Sequence, residues 1–414
     1  MLAITNATII DGTGRDPIEN GTLLIDEERI SAVGKQIALP RSTTVIDAAG
    51  GSVLPGLIDT HVHFTEDLNV LTNLFTPPSL YLLQAIPRMK ATLDAGVTTV
   101  RDAGGTPAGV KMAVEQGIVA GPRMQVAVSL IAQTGGHGDS FFPCCANMSF
   151  FLGIHFKDVP NGIADGVEEI RKTTREILRA SADWIKLSTS GGVLSTSSLD
   201  IPTSPQLTVE EIATAVYEAT AQGKRCMAHA QGTQGIKNAL LAGVVSIEHG
   251  IYLDDETIQL MLQKDAYLVP TLVAPLDVIE FSQNHPDLLS PMIAAKASAV
   301  IEAHRLSFRH ALEAGVKIAM GSDSGISRHG ENGRELQLMV ENGMTPMQAI
   351  QASTCHASRL LRLDKQLGTL EKGKLADVIL VNADVLQNIS AIANPANVQL
   401  VLKEGQIVKN QLNT

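Results

Sequence analysis

The stretch Leu57-Ile-Asp-Thr-His61-Val-His63 decides the fold, because it joins a short apolar β-type run to two histidines at its end. Side chains alternate between the faces of a strand, so His61 and His63 point the same way. Similar runs recur along the chain, and longer segments of helical period separate them. This alternation is typical of a parallel sheet with crossover helices, and it predicts an α/β fold.

Eight runs qualify as strands, which is the number that closes a (β/α)8 or TIM barrel. Three of the helices before them end alike, at Gly96, Gly243 and Gly315, each between alanine and valine. Glycine adopts the left-handed conformation that ends a helix, so this repetition indicates one repeating unit. The predicted strands are Leu57–His63, Val97–Asp102, Met124–Ile131, Asp183–Ser188, Arg225–Ala230, Val244–His249, Tyr267–Leu272 and Lys317–Asp323.

Both ends of the chain consist of β-type runs and turns rather than helical segments. Leu2–Ile10 and Val398–Leu402 are examples, and turn signals such as Asp11-Gly12 separate such runs. We predict that residues 1–55 and 366–414 form one small β-sandwich domain. Residues 56–365 then form the barrel.

The composition restricts the partners and the location of the protein. With 414 residues and 44% apolar content, the chain can bury a large core. A net charge of −11 and only 3% aromatic residues disfavour nucleic acid. The N-terminus has no basic segment followed by a long apolar stretch, and no apolar run reaches membrane-spanning length, so we expect neither export nor a membrane. No C-x-x-C spacing occurs, which predicts reduced thiols in a cytoplasmic protein, at Cys144, Cys145, Cys226 and Cys355.

Several polar residues coincide with the ends of predicted strands. His61 and His63 can chelate one divalent ion, although packed or surface histidines also show this spacing. Lys186, in Trp184-Ile-Lys-Leu187, lies among apolar residues, where a free ammonium is destabilised. We expect this lysine to be either paired or chemically altered.

Three further strands also end in a polar residue, namely His229, His249 and Asp323. Taken singly, each of them could be a core histidine bonded to the backbone or a helix-capping aspartate. Active sites of (β/α)8 barrels lie at the C-terminal ends of the strands, however, where all these groups are predicted to meet. Their coincidence therefore predicts a metal-binding active site.

These motifs resemble the binuclear branch of the amidohydrolase superfamily, and the likeness extends to the closing Gly373-Lys-Leu-Ala-Asp377. It implies that carbon dioxide carboxylates Lys186, which then bridges two divalent metal ions, with zinc as the default. His61, His63 and Asp323 would hold one ion, and His229 and His249 the other. It also implies that a shared hydroxide attacks an amide carbonyl. Asp323 would then accept its proton and pass it to the leaving amine.

A glycine-rich loop narrows the resemblance. Thr134-Gly-Gly-His137-Gly-Asp139 is similar to the loop of Xaa-Pro and Xaa-Arg/Lys dipeptidases, which implies that His137 donates a hydrogen bond to the substrate carbonyl oxygen. The loop therefore implies hydrolysis of a dipeptide or an N-acyl amino acid. Those dipeptidases commonly carry a tyrosine where this chain has Gln231, so we expect Gln231 to bind the substrate at this position, in a departure from the dipeptidase pattern. Hydrolysis of a carbamate, a urea or an ochratoxin-like aryl amide is the alternative.

The segment after the last strand offers two candidate ligands for a substrate carboxylate, Arg328 and His329, although it could equally be a solvated loop. We assign no chemistry to the remaining histidines, which fall in predicted helices or loops away from strand ends. They are His155, His285, His304, His310 and His356.

Two other classes of protein share this barrel. A mononuclear deaminase usually has a glutamate three residues after the strand-five histidine, where this chain has Gly232, and it does not need Lys186. A non-catalytic scaffold would lack ligands, whereas all six are present here. The preferred interpretation is a binuclear hydrolase that acts on a small-molecule substrate and associates with itself.

Overall fold

The computed structural model describes residues 1–68, 76–139, 158–195, 197 and 199–412. Strands dominate both ends of the chain, and strands and helices alternate between them. In chain order the strands are β1 (Leu2–Ile9), β2 (Ile18–Asp26), β3 (Arg29–Gly34), β4 (Thr44–Asp47), β5 (Ser52–Pro55), β6 (Leu57–Val62), β7 (Val97–Asp102), β8 (Arg123–Val126), β9 (Leu130–Ile131), β10 (Trp184–Ser188), β11 (Arg225–Ala230), β12 (Ser246–His249), β13 (Tyr267–Val269), β14 (Lys317–Ile318), β15 (Val378–Val381), β16 (Val398–Lys403) and β17 (Gln406–Asn410).

Helices follow most of the barrel strands, as the repeating unit requires. In chain order the described ones are α1 (Pro78–Asp94), α2 (Ala108–Glu115), α3 (Gly166–Arg179), α4 (Val209–Ala221), α5 (Thr233–Ala242), α6 (Asp255–Lys264), α7 (Val273–Asn284), α8 (Pro291–Glu313), α9 (Arg334–Glu341), α10 (Pro346–Ala352), α11 (Cys355–Leu360) and α12 (Ser390–Ala393), followed by a 3-10 turn at Pro395–Asn397. Within the described ranges, no helix combines the length and the apolar character needed to cross a bilayer.

Strands β6 to β14 form the predicted (β/α)8 barrel. All their pairings are parallel. The two ends of the barrel are joined beyond β14, where Thr60 N–H donates to the Met320 carbonyl at 2.9 Å and Asp323 N–H donates to the His61 carbonyl at 2.8 Å. The first strand and the residues after the last strand are therefore neighbours, although 260 positions separate Thr60 from Met320.

The third barrel strand differs from its prediction. Met124–Ile131 is not one continuous strand, because Val128 adopts φ 64° and divides it into β8 and β9. A valine in the left-handed region is strained, and it interrupts the regular ladder. β8 therefore pairs with β7, whereas β9 pairs with β10.

The three glycine junctions are confirmed. Gly96, Gly243 and Gly315 have φ values of 92°, 96° and 82°, which are the left-handed conformations expected where a helix ends. Each is followed within a few residues by the next barrel strand, β7, β12 and β14 respectively.

Both ends of the chain meet in one eight-stranded sheet with the order β17-β16-β15-β5-β1-β2-β3, in which β4 pairs with β1. The sequence prediction missed β5 and β17. β5 leads into the barrel through Gly56, where an added Cβ would lie 2.3 Å from Thr98 Oγ1, so the chain crosses with no room for a side chain. The exact division into residues 1–55 and 366–414 against residues 56–365 stays a prediction.

An ion-pair cluster links this sheet to the barrel. Arg123, at the start of β8, lies 2.7 Å from the carboxylate of Asp377, and its other terminal nitrogen lies 2.6 Å from Glu404. Asp377 is buried and also accepts the Glu404 backbone N–H at 2.9 Å. The Gly373-Lys-Leu-Ala-Asp377 motif thus ends in the residue that holds the two parts together.

We expect Asp377→Ala to lower the free energy of unfolding by about 2 kcal/mol, because hydrogen bonds to a charged group contribute about 1.5–3 kcal/mol. Urea denaturation of the purified variant measures the change. The exposed Asp16 provides the matched control, since Asp16→Ala should leave the midpoint unchanged. Equal midpoints for wild type and Asp377→Ala would show that the cluster does not stabilise the fold.

Candidate metal centre

The strand-end residues predicted from the sequence meet in one cavity. It lies at the C-terminal ends of the barrel strands, as expected for this fold. All six predicted metal ligands line it, together with the predicted hydrogen-bond donor and one predicted substrate ligand. They are His61, His63, Lys186, His229, His249, Asp323, His137 and Gln231.

Three consecutive strands end in a strained backbone conformation at this cavity. His249, Thr271 and Asp323 have φ values of 71°, 52° and 56°, in the left-handed region that non-glycine residues seldom adopt. Such strain costs about 1–3 kcal/mol per residue and concentrates at functional sites. It directs three side chains into the cavity at positions where a regular strand would continue.

A buried carboxylate orients His61. Its Nδ1 lies 2.7 Å from Glu248 Oε2, so Nδ1 carries the hydrogen and Nε2 keeps a free lone pair. Arg101, which is fully buried, donates to the other oxygen of Glu248 at 2.9 Å, and Ser246 also donates to it. His61 Nε2 is thereby held 3.3 Å from Lys186 Nζ and 3.5 Å from Asp323 Oδ1.

His63 and His249 are oriented in the same way as His61, through a hydrogen bond at Nδ1. His63 Nδ1 lies 3.0 Å from the Gly104 carbonyl, which can only accept a hydrogen bond. His249 Nδ1 lies 2.7 Å from Thr271 Oγ1, and that hydroxyl donates its own hydrogen to the Pro270 carbonyl at 2.7 Å. In both rings Nδ1 therefore carries a hydrogen. Nε2 of His63 lies 3.4 Å from Asp323 Oδ1, and Nε2 of His249 is left for a ligand.

His229 has the opposite orientation. Its Nε2 lies 3.2 Å from the Gly191 carbonyl, so Nε2 carries the hydrogen and Nδ1 is the free nitrogen. A neutral imidazole binds a metal through either nitrogen, and the hydrogen bond made by the other nitrogen decides which. These hydrogen bonds thus fix which nitrogen of each of the four rings would meet a metal ion.

The rings lie close enough together to share ions. The centroid of His61 is 5.3 Å from that of His63 and 5.2 Å from that of His249, and His229 lies 4.6 Å from His249. One ligand atom from each of His61, His249 and Asp323 lies within 4.8 Å of the others. These three buried residues form a candidate metal site on geometry alone.

Burial keeps three of the imidazoles neutral, as metal ligands must be. It lowers the pKa of His61, His229 and His249 well below the usual value, and neighbouring positive groups lower it further. The pKa of His63 instead rises well above the usual value, because the carboxylates of Glu66 and Asp323 outweigh the effect of burial. A cation near Asp323 would compete with that proton.

Lys186 is almost completely buried, as the sequence suggested. An ammonium has three N–H donors, yet the hydrogen-bond acceptor found for Nζ among the described residues is His61 Nε2 at 3.3 Å. Burial lowers the pKa of this lysine to about 8. The neutral amine is the form that reacts with carbon dioxide, so the environment suits carboxylation.

His137 is held by a carboxylate that the sequence analysis did not identify. Its Nδ1 lies 3.0 Å from Asp200 Oδ2, and Asp200 also accepts from the Gln206 side chain at 2.9 Å. The ring stacks on His229 at 4.2 Å. Gly192 leaves room for it, because an added Cβ would lie 2.2 Å from the His137 ring.

A second buried network supports the end of the last strand. The Asp59 carboxylate accepts from the backbone N–H groups of His61 and Ser322, each at 3.1 Å, and from Asn332 Nδ2 at 2.8 Å. Burial raises the pKa of Asp59 to about 6. The network joins the residues that precede Asp323 to the His61 backbone, and so fixes one side of the site.

The structure does not bring Arg328 and His329 into this cavity. Arg328 is 67% exposed and faces Glu280 and Glu331 in a neighbouring groove. Both ring nitrogens of His329 contact protein groups, the Thr92 hydroxyl at 3.2 Å and the His63 carbonyl at 3.1 Å. The position of His329 suits it to hold the His63 backbone.

One histidine to which the sequence analysis assigned no chemistry lines the cavity. His304 lies on α8 and is buried, and its Nε2 contacts the carbonyls of His249 and Pro270. Burial lowers its pKa to about 4. No strand-end pattern marks this residue, because the helix delivers it from outside the barrel. His155 lies outside the described residues.

We expect Glu248→Gln to weaken metal binding about 10–100-fold, the usual effect of losing a group that orients a ligand. An amide cannot hold the His61 Nδ1–H as a carboxylate does, and it leaves Arg101 without its counter-charge. Competition with a chelator measures the affinity. Glu256→Gln, at a surface ion pair with Lys237, is the control and should behave as wild type. Unchanged affinity in Glu248→Gln would contradict the orienting role.

Comparisons with known proteins agree with this geometry. The amidohydrolase family profile matches residues 52–408. The chain is 33% identical to the ochratoxinase of Aspergillus niger over 97% of its length and 85% of that protein. A solved Xaa-Pro dipeptidase with bound methionine superposes with a TM-score of 0.89 at 33% identity, covering 99% of this chain and 100% of the other. A prolidase in complex with N-methylphosphonate-L-proline gives 0.87 at 31% identity, with the same coverage. Since the family profile covers well over half of its residues, the chain belongs to the amidohydrolase family.

Proposed function

We propose that this protein is a metal-dependent hydrolase that cleaves the C–N bond of an amide. The observation that carries the proposal is the set of four buried imidazoles, each held through one ring nitrogen by a hydrogen bond to the protein, in one cavity with Lys186 and Asp323. Membership of the amidohydrolase family supports the reaction class. The Xaa-Pro dipeptidase and ochratoxinase relatives support hydrolysis of small amides.

The residues present fit two divalent ions. His61, His63 and Asp323 would hold one ion, His229 and His249 the other, and Lys186 would bridge them after carboxylation by carbon dioxide. Carboxylation turns a buried ammonium with one partner into an anionic ligand, which removes the unfavourable positive charge. Zinc suits such a mixed nitrogen and oxygen site, although other divalent metals also do. When bound, the ions supply a nucleophilic hydroxide at neutral pH and polarise the substrate carbonyl.

Asp323 and His137 carry the proton and hydrogen-bond steps. Asp323 Oδ1, 3.5 Å from His61 Nε2 and 3.4 Å from His63 Nε2, accepts a proton from the attacking water and transfers it to the leaving nitrogen. His137, which Asp200 holds at Nδ1, donates a hydrogen bond from Nε2 to the carbonyl oxygen as charge develops there.

The walls of the cavity favour a substrate with an apolar portion. Apolar side chains surround the histidines, and we infer that they hold the body of a dipeptide or an N-acyl amino acid. The alternative substrates are aryl amides, carbamates and ureas. The side chains are Leu130, Val193, Leu194, Ile251, Ala274, Pro275, Val278 and Ile326.

Polar substrate contacts come from two places in this proposal. Gln231 lines the cavity, and its Oε1 is without a hydrogen-bond partner among the described residues. Arg328 lies in the neighbouring groove, which shares Glu66 and Ile326 with the cavity. Arg328 therefore binds the carboxylate of a substrate only if that substrate extends into the groove.

Two expectations from the sequence remain part of the proposal. A cytoplasmic location accords with the two described cysteines, Cys226 and Cys355, which are both buried free thiols. Cys144 and Cys145 lie outside the described residues. Self-association is the second expectation, and it follows from the family resemblance and the large surface of a barrel.

The metal content distinguishes the proposed hydrolase from its rivals. We expect about two divalent ions per chain in the protein purified without chelator, by elemental analysis, because the six ligands divide into two sets. One ion per chain would favour a mononuclear deaminase, and none would favour a scaffold. Lys186→Ala, which removes the bridging group, should reduce the content below that of wild type.

A library of dipeptides, N-acyl amino acids, aryl amides and carbamates, assayed with the zinc-loaded protein, tests the substrate class. We expect turnover of dipeptides or N-acyl amino acids. Cleavage of aryl amides or carbamates alone would move the protein to the alternative class. Hydrolysis of no compound, with both ions bound, would contradict the proposed function.

We expect Asp323→Asn to lower kcat about 10²–10⁴-fold, the usual contribution of general acid–base catalysis. An amide cannot accept the proton of the attacking water. The exposed Asp364 provides the control, since Asp364→Asn should keep full activity. Normal turnover by Asp323→Asn with metal still bound would exclude its role as the proton acceptor.

A further inference from the structure

Helix α8 carries one polar group to the cavity wall that the proposed chemistry does not use. His304 is 2% exposed and lines the cavity. The other buried polar residue of this helix, Ser307, has its hydrogen bonds satisfied, since its hydroxyl donates to the Ile251 carbonyl at 2.7 Å and accepts the Leu253 N–H at 2.8 Å. His304 differs from Ser307 because one of its ring nitrogens has no hydrogen-bond partner among the described residues.

The contacts of His304 define its tautomer. Nε2 lies 3.1 Å from the His249 carbonyl and 2.7 Å from the Pro270 carbonyl. Carbonyl oxygens only accept hydrogen bonds, so Nε2 carries the hydrogen. No carboxylate in the described part of the chain is paired with this ring, which leaves Nδ1 as a lone-pair acceptor.

That acceptor has no hydrogen-bond partner among the described residues. A buried acceptor without a partner is unfavourable, and native proteins nearly always satisfy such groups. Since His304 lines the cavity, a molecule bound there can supply the donor that the described residues lack. Gln231 Oε1 is a second cavity-lining acceptor in the same condition.

We propose that His304 is a specificity-determining residue whose Nδ1 accepts a hydrogen bond from the substrate. The inference rests on the proposed amide hydrolysis and names the class of amide. The substrate carries an N–H or O–H donor on an otherwise apolar body, because acceptors are set among Ile251, Ala274 and Val278. Either the free amino group of a dipeptide or the phenol of a 2-hydroxybenzoyl amide supplies such a donor.

A purely structural role for His304 makes a different prediction. Its Nε2–H holds two carbonyls at the ends of β12 and β13, next to the left-handed residues His249 and Thr271. If this anchoring were its whole function, loss of the Nε2 donor would impair every substrate alike. Loss of the Nδ1 acceptor would then have no effect.

Two conservative substitutions separate these roles. His304→Gln keeps an N–H donor near the position of Nε2 and removes the acceptor at Nδ1. His304→Asn keeps an acceptor near Nδ1 and removes the distant donor. His310→Gln, at an exposed position of the same helix, controls for the change of residue type.

The zinc-loaded enzymes are assayed on two matched pairs of compounds. One pair is alanyl-proline and propionyl-proline, and the other is 2-hydroxybenzoyl-phenylalanine and benzoyl-phenylalanine, so only the first member of each has the additional donor. We expect His304→Gln to lower kcat/KM for the donor-bearing member of one pair about tenfold, the effect of one hydrogen bond, and to spare the other member. The pair that responds identifies an ammonium or a phenol as the donor.

His304→Asn should keep the wild-type ratio within that pair, even if it is less stable. The proposal is overturned if His304→Gln keeps the wild-type ratio in both pairs, or if it lowers both members of each pair equally.

Calorimetric titration of the same four compounds gives a readout that needs no turnover. If none of the four compounds reacts, amide hydrolysis is contradicted. If His304→Gln nevertheless weakens binding of a donor-bearing compound about tenfold, the role of His304 is still supported. If wild type binds neither donor-bearing compound, the assignment of this substrate class is wrong.

Discussion

A neutral imidazole has two nitrogens, and only the one that carries no hydrogen can bind a metal. A site built from four buried histidines therefore depends on a hydrogen bond at the other nitrogen of each ring. Glu248, Gly104, Thr271 and Gly191 provide these four partners, one for each ring. The hydrogen bonds select Nε2 of three rings and Nδ1 of the fourth.

The supporting groups are themselves held by buried charge and strained backbone. Glu248 is compensated by Arg101, which also lies 4.6 Å from the Trp184 ring centre and donates to the Thr60 carbonyl at 2.6 Å. Isolated charges are not tolerated in such a position, so the pair must form together. The left-handed ends of three adjacent strands add unfavourable free energy, which the packing of the barrel offsets.

The barrel and the cluster of polar side chains at its strand ends could be predicted from the sequence because both follow local rules. Helical and strand periods, repeated glycine junctions and polar residues at strand ends are visible in a linear chain. The orienting groups were not predicted because their roles depend on distant contacts. Glu248 and Asp200 lie 187 and 63 positions from the histidines that they hold.

Other differences between the predicted and the observed structure have local physical causes, which the pattern of apolar residues does not show. Val128 interrupts the third strand by a change of φ, while its apolar neighbours still read as continuous β-structure. His304 has helical surroundings and reaches the cavity through the packing of α8 on the barrel. Arg328 follows Asp323 closely in sequence, yet the chain turns and places it in the neighbouring groove.

The central claim is that hydrogen bonds preset which nitrogen of each histidine meets a metal ion. Anomalous diffraction from crystals of the zinc-loaded protein, recorded at the zinc absorption edge, tests it most directly. The account predicts two peaks, one contacting Nε2 of His61 and His63 and the other contacting Nδ1 of His229 and Nε2 of His249. A single peak, or coordination through His61 Nδ1 with Glu248 displaced, would contradict it.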